Sequence, residues 1–419
     1  MREIVEKMGR VHGMVALAWA WFGATPAAWA EDGSASQAAP NEPGRAAAGR
    51  SDSSNPSKTS PESDERSDER TLRSIAADAP VWGPAEILHT TVSTASRASL
   101  ELFTSSSYSG RKLSIPVKVV RGVRRGRTLC LTAGIHGDEL NGIEIVRRVM
   151  ARLVPDDLNG MVIGLPVVNL HGFRRGERDL PDRRDLNRHF PGRRKGSAAS
   201  RVAYRVFRFL RRHCHEAIDF HTGSARRTNL PQVRADMGEP ETVELALRLG
   251  PLVVVHSDGT RGMLRRELTR VGVPTVTYEA GEALRFQLDV IEGVVHNVTR
   301  AARGLTDEAD LSPPDLDRAP EMFLQSSWVR VDRGGILTND VGLGDSVRQG
   351  QVLGTVQLPF SDTSQEIVAP HDGLVIGCAQ PQLVLPGFAA FHLGYDPRKE
   401  IPNEETEDPA MEHAEAEVE

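Results

Sequence analysis

Nine consecutive residues join a strand-like run to a helix-like run: Leu131-Thr132-Ala133-Gly134-Ile135-His136-Gly137-Asp138-Glu139. The apolar residues before Gly134 are typical of a buried strand, and residues 140–153 repeat apolar side chains at helical spacing. Strands that run into helices build α/β proteins, in which ligands bind beyond the carboxyl ends of the strands. His136 and Glu139 stand at such an end, so they are the first candidates for a functional site.

The same alternation continues along the chain. Runs of strand length occupy residues 114–121, 127–134, 161–168, 217–221, 252–255 and 273–279. Helical patterns cover residues 140–153, 197–213, 241–249, 262–271 and 284–303. This order predicts an α/β sheet that is covered by helices on both faces.

The amino-terminal residues 1–30 resemble a secretory signal peptide. A weakly basic start is followed by an apolar run from Met14 to Gly23 and by the small-x-small sequence Ala28-Trp29-Ala30. We therefore expect an exported protein, periplasmic or secreted, with a cytoplasmic location as the alternative. The apolar run is shorter than the ~20 residues that cross a bilayer, so no stable membrane span is expected.

Composition divides the remaining chain. Residues 31–80 contain Ser, Ala, Pro, Gly and charged residues with few large apolar ones, which predicts a disordered linker. Residues 81–305 form the predicted catalytic domain, and residues 306–320 a second linker. Short glycine-punctuated strands predict a small all-β domain at residues 321–395, before an acidic, disordered tail at residues 396–419.

Charge and cysteine content exclude some classes of protein. The net charge is -6, and the basic residues are interleaved with Asp and Pro, which argues against a nucleic-acid partner. Of the three cysteines, Cys130, Cys214 and Cys378, at most two can pair and one thiol remains. Cys130 lies in a predicted core strand, so we interpret it as a buried packing residue and not as a nucleophile.

A zinc site is the chemistry that fits His136 and Glu139. A catalytic zinc takes three protein ligands, and two His with one Glu is an established set. His221 follows the apolar run of residues 217–220 and precedes a glycine turn, so it supplies the third ligand at another strand end. We predict one Zn²⁺ per chain. His213 and His215 flank Cys214 at a predicted helix end and are interpreted as structural.

Hydrolysis at a zinc site also needs a base that accepts a proton and passes it to the leaving group. Glu279 stands at the end of the apolar run of residues 273–278, where a carboxylate is costly to bury without a role. Glu282 competes with it, but it follows Gly281 at a predicted helix entry, where capping explains it. Glu279 is therefore the predicted catalytic base.

The segment between the two histidine motifs supplies candidates for substrate binding. Asn187 and Arg188 combine an amide with a guanidinium, which can grip a carboxylate through two parallel hydrogen bonds. Arg178 is a candidate for stabilising the oxyanion that develops during catalysis. The neighbouring arginines 183, 184, 193 and 194 are interpreted as solvated.

Four motifs in this order resemble the succinylglutamate desuccinylase/aspartoacylase family, relatives of the zinc carboxypeptidases: His-Gly-Asp-Glu, Asp-Leu-Asn-Arg-x-Phe-Pro-Gly, Asp-Phe-His-Thr-Gly and Glu-Ala-Gly. The resemblance covers residues 81–305. It implies a mixed α/β sheet flanked by helices, one zinc, and deacylation of an N-acyl amino acid or similar small carboxylate. By position the resemblance implies that the zinc ligands are His136, Glu139 and His221 and that the base is Glu279. It also implies that Asn187 and Arg188 bind the substrate carboxylate. The spacing from Arg178 to Asn187 is looser than in aspartoacylase.

The region 321–395 is similar to a biotinyl/lipoyl domain and matches the C-terminal β domain that members of this family carry. No lysine occurs between Lys195 and Lys399, so the carrier function of such domains is not expected. We interpret the region as a wall or lid of the active site.

Two other functions share these residues. A zinc carboxypeptidase that acts on peptides differs only in the width of its cleft, which the sequence does not give. A non-catalytic zinc-binding protein is disfavoured by the presence of Glu279 and Arg188 beside all three metal ligands. The acyl group, the amino acid and the oligomeric state do not follow from the sequence.

Overall fold

A computed structural model describes residues 85–106, 110, 112–224, 226–304 and 320–396. The predicted signal peptide, the linker at residues 31–80, the second linker except Pro320, and the tail except Asp396 lie outside these residues. No helix among the described residues is long and apolar enough to cross a membrane.

Strands are the commonest regular elements of the described residues. They are β1 (Ala85–Ile87), β2 (Thr90–Val92), β3 (Ser96–Ser106), β4 (Lys112–Arg121), β5 (Arg124–Ala133), β6 (Asn159–Leu165), β7 (Glu216–Gly223), β8 (Arg227–Ala235), β9 (Val253–His256), β10 (Thr275–Glu282), β11 (Glu321–Phe323), β12 (Gln325–Arg330), β13 (Gly335–Asn339), β14 (Ser346–Val347), β15 (Val352–Gln357), β16 (Ser364–Val368), β17 (Gly373–Ala379), β18 (Gln382–Val384) and β19 (Ala389–Tyr395).

The helices among the described residues lie between residues 140 and 303. They are α1 (Leu140–Arg152), α2 (Leu170–Arg175), α3 (Ala198–His213), α4 (Pro240–Arg248), α5 (Leu264–Thr269) and α6 (Leu288–Arg303), with 3-10 turns at Pro155–Asp157 and Leu186–Arg188. Helix α3 begins and ends at recognisable signals. The hydroxyl of Ser197 caps α3 by accepting a hydrogen bond from the Ser200 amide, and three basic residues fill its last turn.

One mixed sheet organises the molecule. Its central order is β3-β4-β6-β5-β7-β10-β8, in which β6, β5, β7 and β10 run parallel and β3, β4 and β8 run antiparallel to their neighbours. Since β5, β7 and β10 are parallel, their carboxyl ends share one edge of the sheet. The predicted metal ligands and Glu279 follow or occupy these ends.

Helices cover both faces of this sheet, as the alternating pattern predicts. One face packs against α1, α4 and α6, in a core that includes Ile145, Phe220 and Val295. The other face packs against α3 and α5, with Val206 and Leu264 among its buried residues. Each fully buried side chain of this size contributes about 1.5–3 kcal/mol, so the two layers hold the strand ends in fixed positions.

The carboxyl-terminal β unit, residues 320–396, contains strands only, as predicted. Strands β13, β15, β16 and β18 form a separate four-stranded sheet. The other strands join the main sheet: β17 pairs with β8, β19 with β17, β12 with β19, and β11 with β9. The β unit therefore extends the sheet that carries the site.

Several predicted boundaries were wrong. The helix predicted from residue 284 begins at Leu288, because Leu284 adopts a left-handed backbone with φ 64°. β5 begins at Arg124, inside the stretch predicted to connect two strands. Glu282 lies at the end of β10 and not at a helix entry. β8 was not predicted, because its sequence mixes Pro231 with polar and apolar residues.

Candidate active site

A tight turn after β5 brings the first two ligand candidates together. Glu139 is the residue before the first turn of α1. Gly137 lies so close to α2 that a Cβ there would stand 2.0 Å from the carbonyl carbon of Gly172. Only glycine fits this contact, and the resulting turn directs His136 and Glu139 towards each other.

His221, near the end of β7, completes a cluster. Nδ1 of His136 lies 2.8 Å from Oε1 of Glu139, and Nδ1 of His221 lies 2.9 Å from Oε2 of the same carboxylate. The two Nδ1 atoms are 3.2 Å apart. All three residues are buried, and one ligand atom from each lies within 4.8 Å of the others. The structure thus brings the three predicted metal ligands to one point.

Two carboxylates that the sequence analysis did not single out hold the histidine rings from behind. Oδ1 of Asp185 lies 3.0 Å from Nε2 of His136, and Oδ2 of Asp219 lies 2.8 Å from Nε2 of His221. The Thr132 hydroxyl donates to the other oxygen of Asp219 at 2.7 Å. With Nε2 donating to a carboxylate, each ring presents Nδ1 to the centre of the cluster.

Burial and charge shift the pKa values of the cluster. Burial alone would lower the pKa of His221, but the charges of Asp219 and Glu139 outweigh it and raise that pKa well above 6.5. The pKa of His136 is raised in the same way against burial, by Glu139 and Asp185. Burial would raise the pKa of Glu139, but the two histidines hold it well below its usual range. A cation that binds here therefore competes with protons.

Arg178 lies beside the cluster. Its Nη1 donates to Oε1 of Glu139 at 3.0 Å and its Nη2 donates to Oδ2 of Asp185 at 3.2 Å. These two carboxylates raise the pKa of Arg178, although burial opposes them. The guanidinium is thus placed at the site, while its predicted role towards an oxyanion stays a prediction.

Asn187 and Arg188 occupy the 3-10 turn next to Asp185. Oδ1 of Asn187 accepts a hydrogen bond from the amide of Leu264 at 2.9 Å, and its Nδ2 lies 3.5 Å from Nε2 of His221. Nη1 of Arg188 donates to the carbonyl oxygen of Asn187 at 3.0 Å, and the side chain is 47% exposed. Arg188 therefore has exposed donors at the rim, whereas Asn187 is buried and its Oδ1 is engaged by the protein.

Glu279 is buried on β10, directly beside His221 in the register of the parallel pair β7–β10. Its Oε2 accepts a hydrogen bond from Nδ2 of Asn229 at 2.9 Å, and its Oε1 lies 3.6 Å from Nε of Arg234. Asn229 and Arg234 both belong to β8. These contacts explain how a carboxylate is accommodated at this buried position.

A second buried arginine, Arg265, was missed by the sequence analysis. It lies on α5 and donates to the carbonyl and the hydroxyl oxygen of Ser257. Burial and the charge of Arg234 lower its pKa to about 10, whereas Glu279 raises it.

Strand alternation could have drawn attention to Asp219, two residues before His221 on the same strand. The contacts of Asn229, Arg234 and Arg265 depend on the tertiary fold.

The competing candidates have structural partners. Nδ1 of His215 accepts a hydrogen bond from the amide of Thr128 at 2.9 Å, and His213 is the last residue of α3. Cys130 is fully buried, as expected, and forms a disulfide with Cys214. The carboxylate of Glu282 is buried and pairs with Nη1 of Arg285 at 2.8 Å.

The chemistry of the cluster fits a zinc ion. Two imidazole nitrogens and a carboxylate are a common catalytic zinc set. The two Nδ1 atoms stand 3.2 Å apart around one carboxylate, an arrangement that a shared cation stabilises. The carboxylates behind each ring match the outer partners that metal-binding histidines usually have.

Comparisons with known proteins identify a family that this chain resembles. Residues 125–305 match the succinylglutamate desuccinylase/aspartoacylase catalytic domain. N-alpha-acetyl-L-2,4-diaminobutyric acid deacetylase of Halomonas elongata is 31% identical over 272 residues, which are 61% of this chain and 76% of the relative.

Two solved structures share the fold. A succinylglutamate desuccinylase/aspartoacylase from Rhodobacter sphaeroides is 23% identical, with a TM-score of 0.63 over 72% of this chain and 96% of its own. The product-bound ectoine utilization protein EutE (DoeB) from Ruegeria pomeroyi is 25% identical, with a TM-score of 0.63 over 72% and 95% of the two chains. The chain therefore belongs to the succinylglutamate desuccinylase/aspartoacylase family and is a hydrolase of carbon-nitrogen bonds in linear amides.

Proposed function

We propose that this chain is a zinc-dependent deacylase that cleaves the amide bond of an N-acyl amino acid or a related small carboxylate. One zinc per chain is held by His136, Glu139 and His221, and Glu279 is the general base. The observation that carries the proposal is the meeting of the three buried ligand atoms within 4.8 Å, with a carboxylate behind each histidine.

Each residue has a distinct task in this proposal. Zinc, when bound, polarises the scissile carbonyl and lowers the pKa of water. Oε1 of Glu279 takes the proton from the attacking water, because Oε2 is engaged by Asn229, and then passes it to the leaving nitrogen. Arg178 stabilises the developing oxyanion. Arg188, with exposed donors at the rim, binds the carboxylate of the substrate.

The choice of substrate class is supported by the Halomonas elongata relative, whose name describes a deacetylase of N-alpha-acetyl-L-2,4-diaminobutyric acid. An N-acetylated amino acid places an amide next to a carboxylate, which matches a metal cluster next to an arginine. The proposed partner is thus a small-molecule carboxylate.

Metal analysis and a substrate panel test the proposal together. The purified protein is assayed for zinc and for hydrolysis of N-acetyl amino acids, N-succinyl amino acids and C-terminal dipeptides, before and after chelation. We expect about one zinc per chain and chelator-sensitive release from an N-acyl amino acid. Cleavage of dipeptides alone would indicate a carboxypeptidase instead, and a protein without zinc would contradict the ligand assignment.

A Glu279→Gln substitution tests the base. The amide keeps the size of the side chain but cannot accept the proton, so kcat should fall about 100- to 10,000-fold, the usual contribution of a general base. Zinc content should not change, because Glu279 is not a proposed ligand. Full activity in E279Q would refute the assignment.

Export of the protein is also a proposal. The Cys130–Cys214 disulfide supports it, because disulfides persist mainly in oxidising compartments. Sequencing the amino terminus of the protein from its native host tests the prediction. A mature chain that starts at Glu31 would support export, and an intact Met1 with both thiols reduced would favour the cytoplasm.

A further inference from the structure

β8 connects the proposed base to the β unit. Along one edge it pairs with β10, where Gln232 is opposite Glu279. Along its other edge it pairs with β17 of the β unit, where Asn229 is opposite Gly377. A residue on β8 can therefore contact both β10, which carries Glu279, and the β unit.

Asn229 makes this double contact. It is 5% exposed, and its Nδ2 donates to Oε2 of Glu279 at 2.9 Å. The orientation of the amide is determined by chemistry, since a carboxylate only accepts hydrogen bonds and must face the NH₂ group. Oδ1 of Asn229 is then buried without a hydrogen-bond partner among the described residues, so packing alone holds that end.

Gly377 supplies this packing. A Cβ at position 377 would stand 2.8 Å from Oδ1 of Asn229 and 3.2 Å from Cβ of His392. The first distance is too short for any side chain, so the carboxamide occupies the space that only glycine leaves. The position of the amide that contacts Glu279 therefore depends on a residue of the β unit.

His392 forms the far side of the same space. It is 4% exposed, lies on β19 opposite Gly377, and stacks on the Trp328 ring with centroids 4.5 Å apart and an angle of 9°. Burial and the charge of Arg234 hold the pKa of His392 well below its usual range. The ring of His392 is therefore neutral. The charged partner of Asn229 is the carboxylate of Glu279.

We propose that Asn229 is a positioning residue for Glu279, and that close packing against Gly377 of the β unit holds Asn229 in place. The inference rests on the proposed role of Glu279 as base. The hydrogen bond fixes Oε2, which leaves Oε1, 3.6 Å from Nε of Arg234, as the oxygen for proton transfer. Without it the carboxylate can rotate about its terminal bond and lose alignment, which affects the transition state more than the bound substrate.

Kinetics of single and double variants test this role, with the N-acyl amino acid that the wild-type protein hydrolyses fastest as substrate. Asn229→Ala should lower kcat about 10- to 100-fold, the range for losing a hydrogen bond to a charged group, with KM and zinc content unchanged. Gly377→Ala should lower kcat in the same way. Asn339→Ala, which removes another amide of the β unit, is the matched control and should leave kcat unchanged.

Double variants separate positioning from general damage. If Asn229 acts through Glu279, N229A should cause no further loss in the E279Q background; if Gly377 acts through Asn229, the loss in N229A/G377A should equal that in N229A alone. An inactive E279Q with a fully active N229A would overturn this inference and leave the proposed function intact. A fully active E279Q would refute the base assignment and the inference with it.

Crystal structures of the zinc-loaded wild-type protein and of G377A test the geometry without any assay. We expect the Asn229 amide to contact Glu279 in the wild-type protein and to be displaced from it in G377A. An unchanged Asn229–Glu279 hydrogen bond in G377A would overturn the proposed dependence on the β unit.

Discussion

Oδ2 of Asp219 lies 2.8 Å from Nε2 of His221, while Oδ1 of the same carboxylate accepts the Thr132 hydroxyl at 2.7 Å. Asp219 is completely buried, so its orientation is fixed by these two contacts. It fixes in turn the ring of His221 and the tautomer that presents Nδ1 to Glu139 and His136. The carboxylate also increases the basicity of the ring, which strengthens its bond to a metal.

Replacing Asp219 by Ala should therefore weaken zinc binding about 10- to 100-fold, the usual effect of removing such a partner. Competition with a calibrated chelator measures the affinity. Asp156→Ala, at an exposed position outside the site, is the matched control and should bind zinc like the wild-type protein. Equal affinities of D219A and the wild-type protein would show that His221 does not need this support.

Arg188 should contribute mainly to substrate binding. Arg188→Ala removes the guanidinium that we assign to the substrate carboxylate, so kcat/KM should fall about 10- to 100-fold, chiefly through KM. Arg188→Lys should recover only part of the loss, because an ammonium lacks the planar fork. Arg194→Ala, an exposed arginine nearby, should have no effect; an unchanged KM in R188A would contradict the assignment.

The Cys130–Cys214 disulfide ties β5 to the end of α3 across a sequence separation of 84 residues. Closing such a loop restricts the unfolded chain, so the double variant C130A/C214A should lose about 2–5 kcal/mol of unfolding free energy. Urea denaturation measures the loss. Reductant should destabilise the wild-type protein similarly and leave the double variant unaffected. Cys378→Ala, which removes the free buried thiol, controls for the loss of a sulfur atom and should not alter the response to reductant.

His213 should make the protein less stable in mild acid. Burial and the charge of Arg212 lower its pKa to about 4 from 6.5, so between these values the unfolded state binds the proton more readily. Stability is then lost as the pH falls from 6.5 towards 4, by up to about 3 kcal/mol at 1.4 kcal/mol per unit.

His213→Asn should therefore flatten the dependence of the unfolding free energy on pH in this window. His296→Asn, at an exposed position, should keep the wild-type slope. Identical slopes for H213N and the wild-type protein would show that this histidine does not couple folding to protonation.

Much of the site could be predicted from the sequence because its key residues follow apolar strands. Parallel strands of one sheet end at a common edge, so His136 and His221 had to be near each other once both strands were recognised. The position of Glu139 beside His136 followed from the tight turn that Gly137 permits. The alternation of strands and helices likewise predicted the layers on both faces of the sheet.

Other features depended on contacts between distant segments. The pairing of Cys130 with Cys214 was not predicted, because three cysteines leave the choice of pair open. β8 escaped prediction, because its residues match no simple period, and with it the contacts of Asn229 and Arg234 to Glu279 were missed. The start of α6 was misplaced, since the backbone at Leu284 is set by the loop and not by local propensity.

The sequence by itself determined the alternation of strands and helices in the catalytic domain, the three metal-ligand candidates and the family resemblance, because these depend on local spacing and on residues at strand ends. Only the tertiary structure decided which carboxylates support the histidines, which amide holds Glu279, and how the β unit joins the main sheet. The physical reason is that hydrogen bonds and close packing between segments far apart in sequence, such as Asn229 against Gly377, depend on register and distance, which no local pattern specifies.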